Sequence, residues 1–322
     1  MSSCERNLCG IGLVLLAACL AGCERSVADA LDTDADSVAS IRQALVVKGD
    51  GGATSAVMDE PTGFAMLTGE FRVKGEVKPL PGLVASGEHA KICSPDGSPL
   101  ANRSLEIAEN KGLANVAIWL TYPRKVPNTP AWINPEYYTQ ERQTAELTGE
   151  RGFDQKNCLF LTRTFAMQST QKLQIINSDP IGHNTKIEGD PGGGAAGANP
   201  NVGANSSVMY EPIGYSNQPF KVSCSIHNWM DAWMLVRPNP FFAVSDAKGD
   251  FEIPYIPAGV KKLEFRVSHE GRYLDEKDGR VALTLNGEKL QIKSGRIKLE
   301  NIDPGKELKL KFVLDAKANG WQ

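Results

Sequence analysis

Glycine, proline and asparagine cut this chain at short intervals, and between the cuts apolar residues alternate with polar ones instead of recurring every third or fourth position. With 31 Gly and 19 Pro in 322 residues, few stretches can continue a helix, while many read as short strands bounded by turns. The clearest alternation is Gly69 to Val77, with Phe71 and Val73 on one face. Ala114 to Leu120, Cys158 to Thr164, Lys172 to Asn177, Phe220 to Cys224 and Trp233 to Val236 read the same way. After Pro238-Asn239-Pro240 the character shifts. Ala247-Lys248-Gly249-Asp250 between two apolar runs is a hairpin signature, and short strands follow at Lys262–Ser268, Arg280–Leu285, Lys289–Ile292 and Leu308–Leu314. The fold class is therefore all-β, and the length suits two cores.

Charge narrows the function classes. Lys+Arg 35 against Asp+Glu 38 leaves a formal net charge of −3, so no strongly basic face is implied and no nucleic acid is expected as a partner. A mean hydropathy of −0.27 excludes a multi-span membrane protein. The first strongly apolar run, Gly10 to Gly22, has the length of a signal-peptide core and is too short to span a bilayer. It ends Leu20-Ala21-Gly22-Cys23, which resembles the lipobox of bacterial lipoproteins. That resemblance implies a signal peptide over 1–22, lipidation of Cys23, and an extracytoplasmic chain anchored to a membrane. An ordinary secretory signal is the plainer reading. Residues 23–66, rich in Ala, Asp, Ser and Gly, read as a flexible tether.

Outside the cytoplasm, cysteines either pair or bind something. Of the seven, Cys4, Cys9 and Cys19 would leave with the signal and Cys23 would carry lipid. Cys93 and Cys158 can pair, which leaves Cys224 over. Alternation along Phe220-Lys221-Val222-Ser223-Cys224 turns that thiol toward the interior with Phe220 and Val222. Directly after it, Cys224-Ser225-Ile226-His227-Asn228-Trp229-Met230 sets a thiol, an imidazole and a thioether within seven residues. A second imidazole, His183, stands upstream in Asp179-Pro180-Ile181-Gly182-His183-Asn184. Two imidazoles, one thiolate and a weak axial thioether are the donor set of a mononuclear type 1 copper site, a compromise between the preferences of Cu(I) and Cu(II).

These two segments resemble the cupredoxin family, the blue-copper proteins such as plastocyanin and, in the short Cys-x-x-His-x-x-Met loop, amicyanin. The resemblance implies a Greek-key barrel over 67–237; within it 121–157, rich in Pro, Tyr and charge, reads as an insertion, part of it helical around Glu136 to Leu147. It also implies one copper ion held by His183, Cys224 and His227 with Met230 axial. Asn184 would brace the two ligand loops, Trp229 would pack beside them, and electrons would leave through the His227 edge. Redox proteins would be the partners. Gly112 to Val116, Asn177 to Pro180, the ligand loop and Asn239 to Val244 are similar to planctomycete-type, methylamine-utilisation-like proteins with a carboxypeptidase-regulatory or transthyretin-like sandwich behind the copper domain. Residues 238–322 would be that smaller sandwich. Asn228 departs from the family's usual Pro after the second ligand His, and Arg163-Thr164-Phe165 stands where relatives often carry Pro-His.

Plainer readings stand beside these. Met234 rivals Met230 as axial donor. Zinc can use Cys224, His183, His227 and a water. A dinuclear copper centre needs a second cysteine in the loop, and only one is present. His89 and His269 have no metal-like spacing and read as surface or structural residues. Gly192 to Gly197 satisfies a dinucleotide-binding pattern but follows no strand and opens no helix, so it is a loop. Nothing argues for an enzyme. The alternative function is a non-redox surface or scaffold lipoprotein on a cupredoxin-like fold.

Overall fold

A computed structural model describes residues 59–322; the signal, the Cys23 site and most of the expected tether lie outside the described residues. The fold is all-β. Among the described residues the α-helices are two single turns, Ala90–Cys93 and Gln140–Gln143. The second is all that forms of the helix expected around 136–147.

Strands are arranged in two sets of facing sheets. In the first set, one sheet runs Asp250–Ala258, Gly63–Lys74, Glu307–Asp315, Val281–Leu285 and Glu288–Lys289. It faces a sheet of Phe242–Val244, Ala117–Tyr122, Lys262–His269 and Arg272–Tyr273, with Arg296–Glu300 also paired to Lys262–His269. Alternate residues of both sheets point inward and close a core around Leu67, Phe71, Leu120, Ile253, Phe265 and Phe312. The Phe71 and Phe312 rings stack 4.4 Å apart.

The second set carries the site. Ser206–Tyr210, Lys172–Asn177, Phe153–Lys156 and Leu159–Phe160 form one sheet; Thr164–Gln168, Asp231–Arg237, Phe220–Ser223 and Lys186–Ile187 form the other. A two-stranded piece pairs Asn201–Val202 with His183–Asn184. Its own core gathers Phe153, Met167, Leu173, Val222 and Met234. Trp119, Ala117 and Leu235 make a small buried cluster between the two sets.

This pairing corrects the expected division at 237/238. Gly63–Lys74 and Ala117–Tyr122 were expected in the first barrel, but they pair with Asp250–Ala258, Glu307–Asp315 and Lys262–His269 of the C-terminal sandwich. The site-bearing strands are thus nested between the sandwich's early and late strands. Alternation reveals a strand and its buried face; its partners are chosen by non-local packing.

Three smaller corrections share that cause. The first strand starts at Gly63 and buries Ala65, so the tether ends before residue 66. The Ala247–Asp250 turn forms, with Gly249 at φ +80° and its missing Cβ leaving room for Phe71 O. Its flanking strands do not pair with each other, however: Phe242–Val244 joins Ala117–Tyr122, and Asp250–Ala258 joins Gly63–Lys74. The turn is a corner between facing sheets and not a hairpin. Within the expected insertion 121–157, Trp132, Ile133 and Tyr138 pack into the sandwich core, while Phe153–Lys156 is an integral strand beside Lys172–Asn177.

Candidate metal centre

Phe220–Ser223 is paired on both sides, so Phe220 and Val222 are buried and the next inward position is Cys224. The chain then turns back on itself. The Cys224 amide donates to Met230 O (3.1 Å) and the Met230 amide to His227 O (2.9 Å), a closed loop that presses residues 224, 227 and 230 together. The short strand His183–Asn184 brings the second imidazole from the other side.

His183, Cys224 and His227 converge. Their donor atoms lie within 4.8 Å of one another, and all three residues are buried. The two Nδ1 atoms are 2.8 Å apart and the sulfur is 3.8 Å from His227 Nδ1. Two nitrogens bound at about 2.0–2.1 Å to one ion would be separated by about 3 Å, so this pocket suits an ion with little movement. Met230 is fully buried in the same core. Met234 lies opposite Phe220, four residues or about 13 Å back along the strand from Cys224, which removes it from the donor set.

Each imidazole turns its other nitrogen to a partner, as ligating histidines do. His183 Nε2 is 2.8 Å from Asp179 Oδ2. That carboxylate is itself held by the Asn157 and Cys158 amides, at 2.6 and 2.8 Å. Burial alone would depress the His183 pKa, but the hydrogen bond to Asp179 and the nearby Cys224 thiol outweigh it and raise it to about 9. His227 Nε2 meets His89 Nδ1 at 3.1 Å. Burial, then the neighbouring His183 and His89, lower its pKa to about 4.

The sulfur is tuned by backbone. Burial would raise the Cys224 pKa, yet contact with His183 and the amides of Asn184, His227 and Ile226 bring it below its ordinary value. Asn184 stitches the loops: its Oδ1 accepts from the Ser225 amide at 2.8 Å and lies 3.4 Å from the sulfur, while its Nδ2 donates to Ser225 Oγ and Asn199 Oδ1. Trp229 donates from Nε1 to Cys158 O at 3.1 Å, its ring 5.2 Å from that of His227.

Cys93 and Cys158 form a disulfide, Cα atoms 5.3 Å apart. Its sulfurs lie within 4.8 Å of a His227 ring nitrogen. The bridge pins the turn Ala90–Cys93 over the site, and His89, the residue before that turn, covers His227. The His227 edge, expected to face outward, is 1% exposed; the outermost imidazole is His89, with 27% of its side chain exposed. His89 is the residue of this cluster that sequence reasoning missed, since neither spacing nor alternation connects it to a loop 138 positions away. His269 is buried, the structural one of the two alternatives, and burial followed by the nearby Arg163 charge lowers its pKa to about 4.

No protein-family model matches the chain, and no curated protein matches it. Among solved structures it is similar to the reduced, Cu(I) form of an amicyanin variant at pH 4, at 17% identity over 26% of this chain and 79% of that one, with a TM-score of 0.23. It is also similar to an oxidised amicyanin variant, at 14% identity over 28% and 86% of the two chains, again with a TM-score of 0.23. Likeness at that level carries no assignment; the donor geometry has to stand by itself.

Proposed function

We propose that this chain is a copper-binding electron-transfer protein, not an enzyme, built on a cupredoxin-like set of strands. The observation that carries the reading is the convergence of two Nδ1 atoms and one thiol in a buried pocket, with both Nε2 atoms already occupied. His183, Cys224 and His227 would hold the ion, with the buried Met230 thioether as a further, weaker donor. Copper bound there would supply a one-electron couple that changes charge without changing ligands. The protein's residues do the rest. Asp179 fixes the His183 tautomer, Asn184 locks the two ligand loops together, and backbone amides stabilise the thiolate. His89 is the solvent-facing end of the contacts that start at Cys224, and a redox partner would dock over it.

The Cys93–Cys158 disulfide supports an oxidising, extracytoplasmic setting, in keeping with a chain anchored through lipid on Cys23. The sandwich of early and late strands takes the part of the carboxypeptidase-regulatory-like domain of methylamine-utilisation-like lipoproteins.

Voltammetry on copper-loaded protein tests this reading. A reversible one-electron wave is expected, and zinc-loaded protein should show none. Absence of any wave from protein that retains copper would favour the scaffold reading; refusal of copper with tight zinc binding would favour a structural zinc site.

A further inference from the structure

At the end of Asp231–Arg237 remote from the metal centre, about 20 Å from Met230 along the strand, a cavity of about 450 Å³ opens between the two sets of sheets. Four guanidinium groups line it, those of Arg124, Arg237, Arg266 and Arg296, against one carboxylate, Glu264.

Arg237 is the unusual member. It is 5% exposed. Its two terminal nitrogens donate to the backbone oxygens of Ser216 and Leu120, whereas Nε has no partner. Among the described residues no carboxylate forms a salt bridge with it within 4.0 Å. Asp190, whose charge acts on Arg237 from a distance, is occupied by the Gly192 and Asn217 amides. Burial lowers the Arg237 pKa to about 10, with Tyr215 and Asp190 offsetting only part of it, as for a cation stripped of water without a paired counter-charge. Removing the partner of a buried charge is strongly destabilising, so a buried arginine without one invites an anion from outside.

A second observation is independent of burial. Arg266 and Arg296 stand directly opposite each other on paired strands. Like charges so placed repel, and Glu264 approaches Arg296 no closer than 3.6 Å while also pairing with Lys262 at 3.0 Å. Arg266 is held in place by the Tyr273 hydroxyl (2.6 Å) and stacks over that ring. An oxyanion between the two guanidinium groups would turn the repulsion into a pair of charge-assisted hydrogen bonds.

We propose that this cavity binds a small multivalent oxyanion, a phosphate-bearing or polycarboxylate molecule, with Arg237 at its floor, Arg266 and Arg296 as the clamp, and the exposed Arg124 at its mouth. The volume falls in the range of small-molecule sites and exceeds what a lone phosphate needs, so the anionic group would carry an organic body.

Isothermal titration of the full chain with inorganic phosphate and, separately, with citrate, both in 150 mM chloride (about physiological ionic strength), tests the proposal. Saturable one-to-one binding of at least one probe is expected. Arg124→Gln/Arg296→Gln should weaken it at least tenfold, because both side chains are exposed and can be changed without disturbing the core. Lys289→Gln/Lys306→Gln removes the same charge from exposed positions outside the cavity and should change it less than twofold. Phosphate binding without citrate would identify a phosphate-bearing ligand, and the reverse a polycarboxylate. Failure of both probes to saturate overturns the proposal. So does equal weakening by the two double variants, which would mean general attraction to positive charge.

Discussion

His183 and His227 sit 2.8 Å apart and are equally buried, yet their environments push them in opposite directions. The His183 side is anionic, with Asp179 behind the ring and a pKa raised to about 9. His227 instead has His89 behind the ring, and its pKa is lowered to about 4. Burial is common to both and so cannot be the cause of the difference. Asp179 and the Cys224 thiol favour a proton on His183, and His183 together with His89 disfavours one on His227, which sets which of the two gives way first to a metal ion.

The largest expected effect comes from freeing one side of the pair. Cys93→Ala/Cys158→Ala removes a bridge spanning 65 positions and should cost about 4 kcal/mol in urea unfolding of the metal-free protein. Hydrogen exchange should accelerate around His89 and His227 while the Asp179–His183 segment stays protected. Equal loosening of both sides would break the contrast between the two imidazoles.

Acidity separates the two rings next. His183 is raised above its unfolded value near 6.5, so its contribution is complete below that pH and is lost as pH climbs through about 9. His227 is lowered, so its contribution is complete above pH 6.5 and is lost as pH falls through about 4. Metal-free stability should therefore peak near neutrality and fall by up to about 3 kcal/mol per histidine on either side. Buried His269 adds to the acid limb alone. His227→Gln should flatten the acid limb and spare the alkaline one; denaturant titrations at pH 4.5, 6.5 and 9 (values spanning those windows) check this.

Smaller effects follow from the outer partners. Asp179→Asn keeps a hydrogen-bond acceptor but removes the charge, and should weaken copper binding about 10- to 100-fold in a competition titration with a chelator. His89→Gln, which keeps a hydrogen-bonding side chain on a partly exposed segment, should change affinity by less than about tenfold, a smaller cost than losing the Asp179 carboxylate. If His89→Gln costs more than Asp179→Asn, the ranking of the two sides is reversed.

Much of the site can be read from the chain alone. The alternation of Phe220, Val222 and Cys224 foretells an inward thiol, and the short Cys-x-x-His-x-x-Met spacing leaves little freedom to a loop closed by the Cys224–Met230 and His227–Met230 backbone contacts. Counting cysteines outside the cytoplasm leads to the Cys93–Cys158 pair. The rest depends on tertiary contacts that local pattern does not encode. Nothing around His89 signals that a disulfide-held turn will lay it on His227. Nothing in Phe71 or Val73 shows that their strand will lie parallel to Glu307–Asp315. Arg266 and Arg296 become a repelling pair only once two strands with no turn in common are aligned.

The most direct measurement is the visible spectrum of the protein after one equivalent of Cu(II). A thiolate ligand bound beside two imidazoles predicts an intense charge-transfer band in the red, abolished in Cys224→Ser and retained in Met234→Leu. A colourless protein that nonetheless holds the copper, or a band that survives Cys224→Ser, would contradict the assignment of His183, Cys224 and His227 to a single ion.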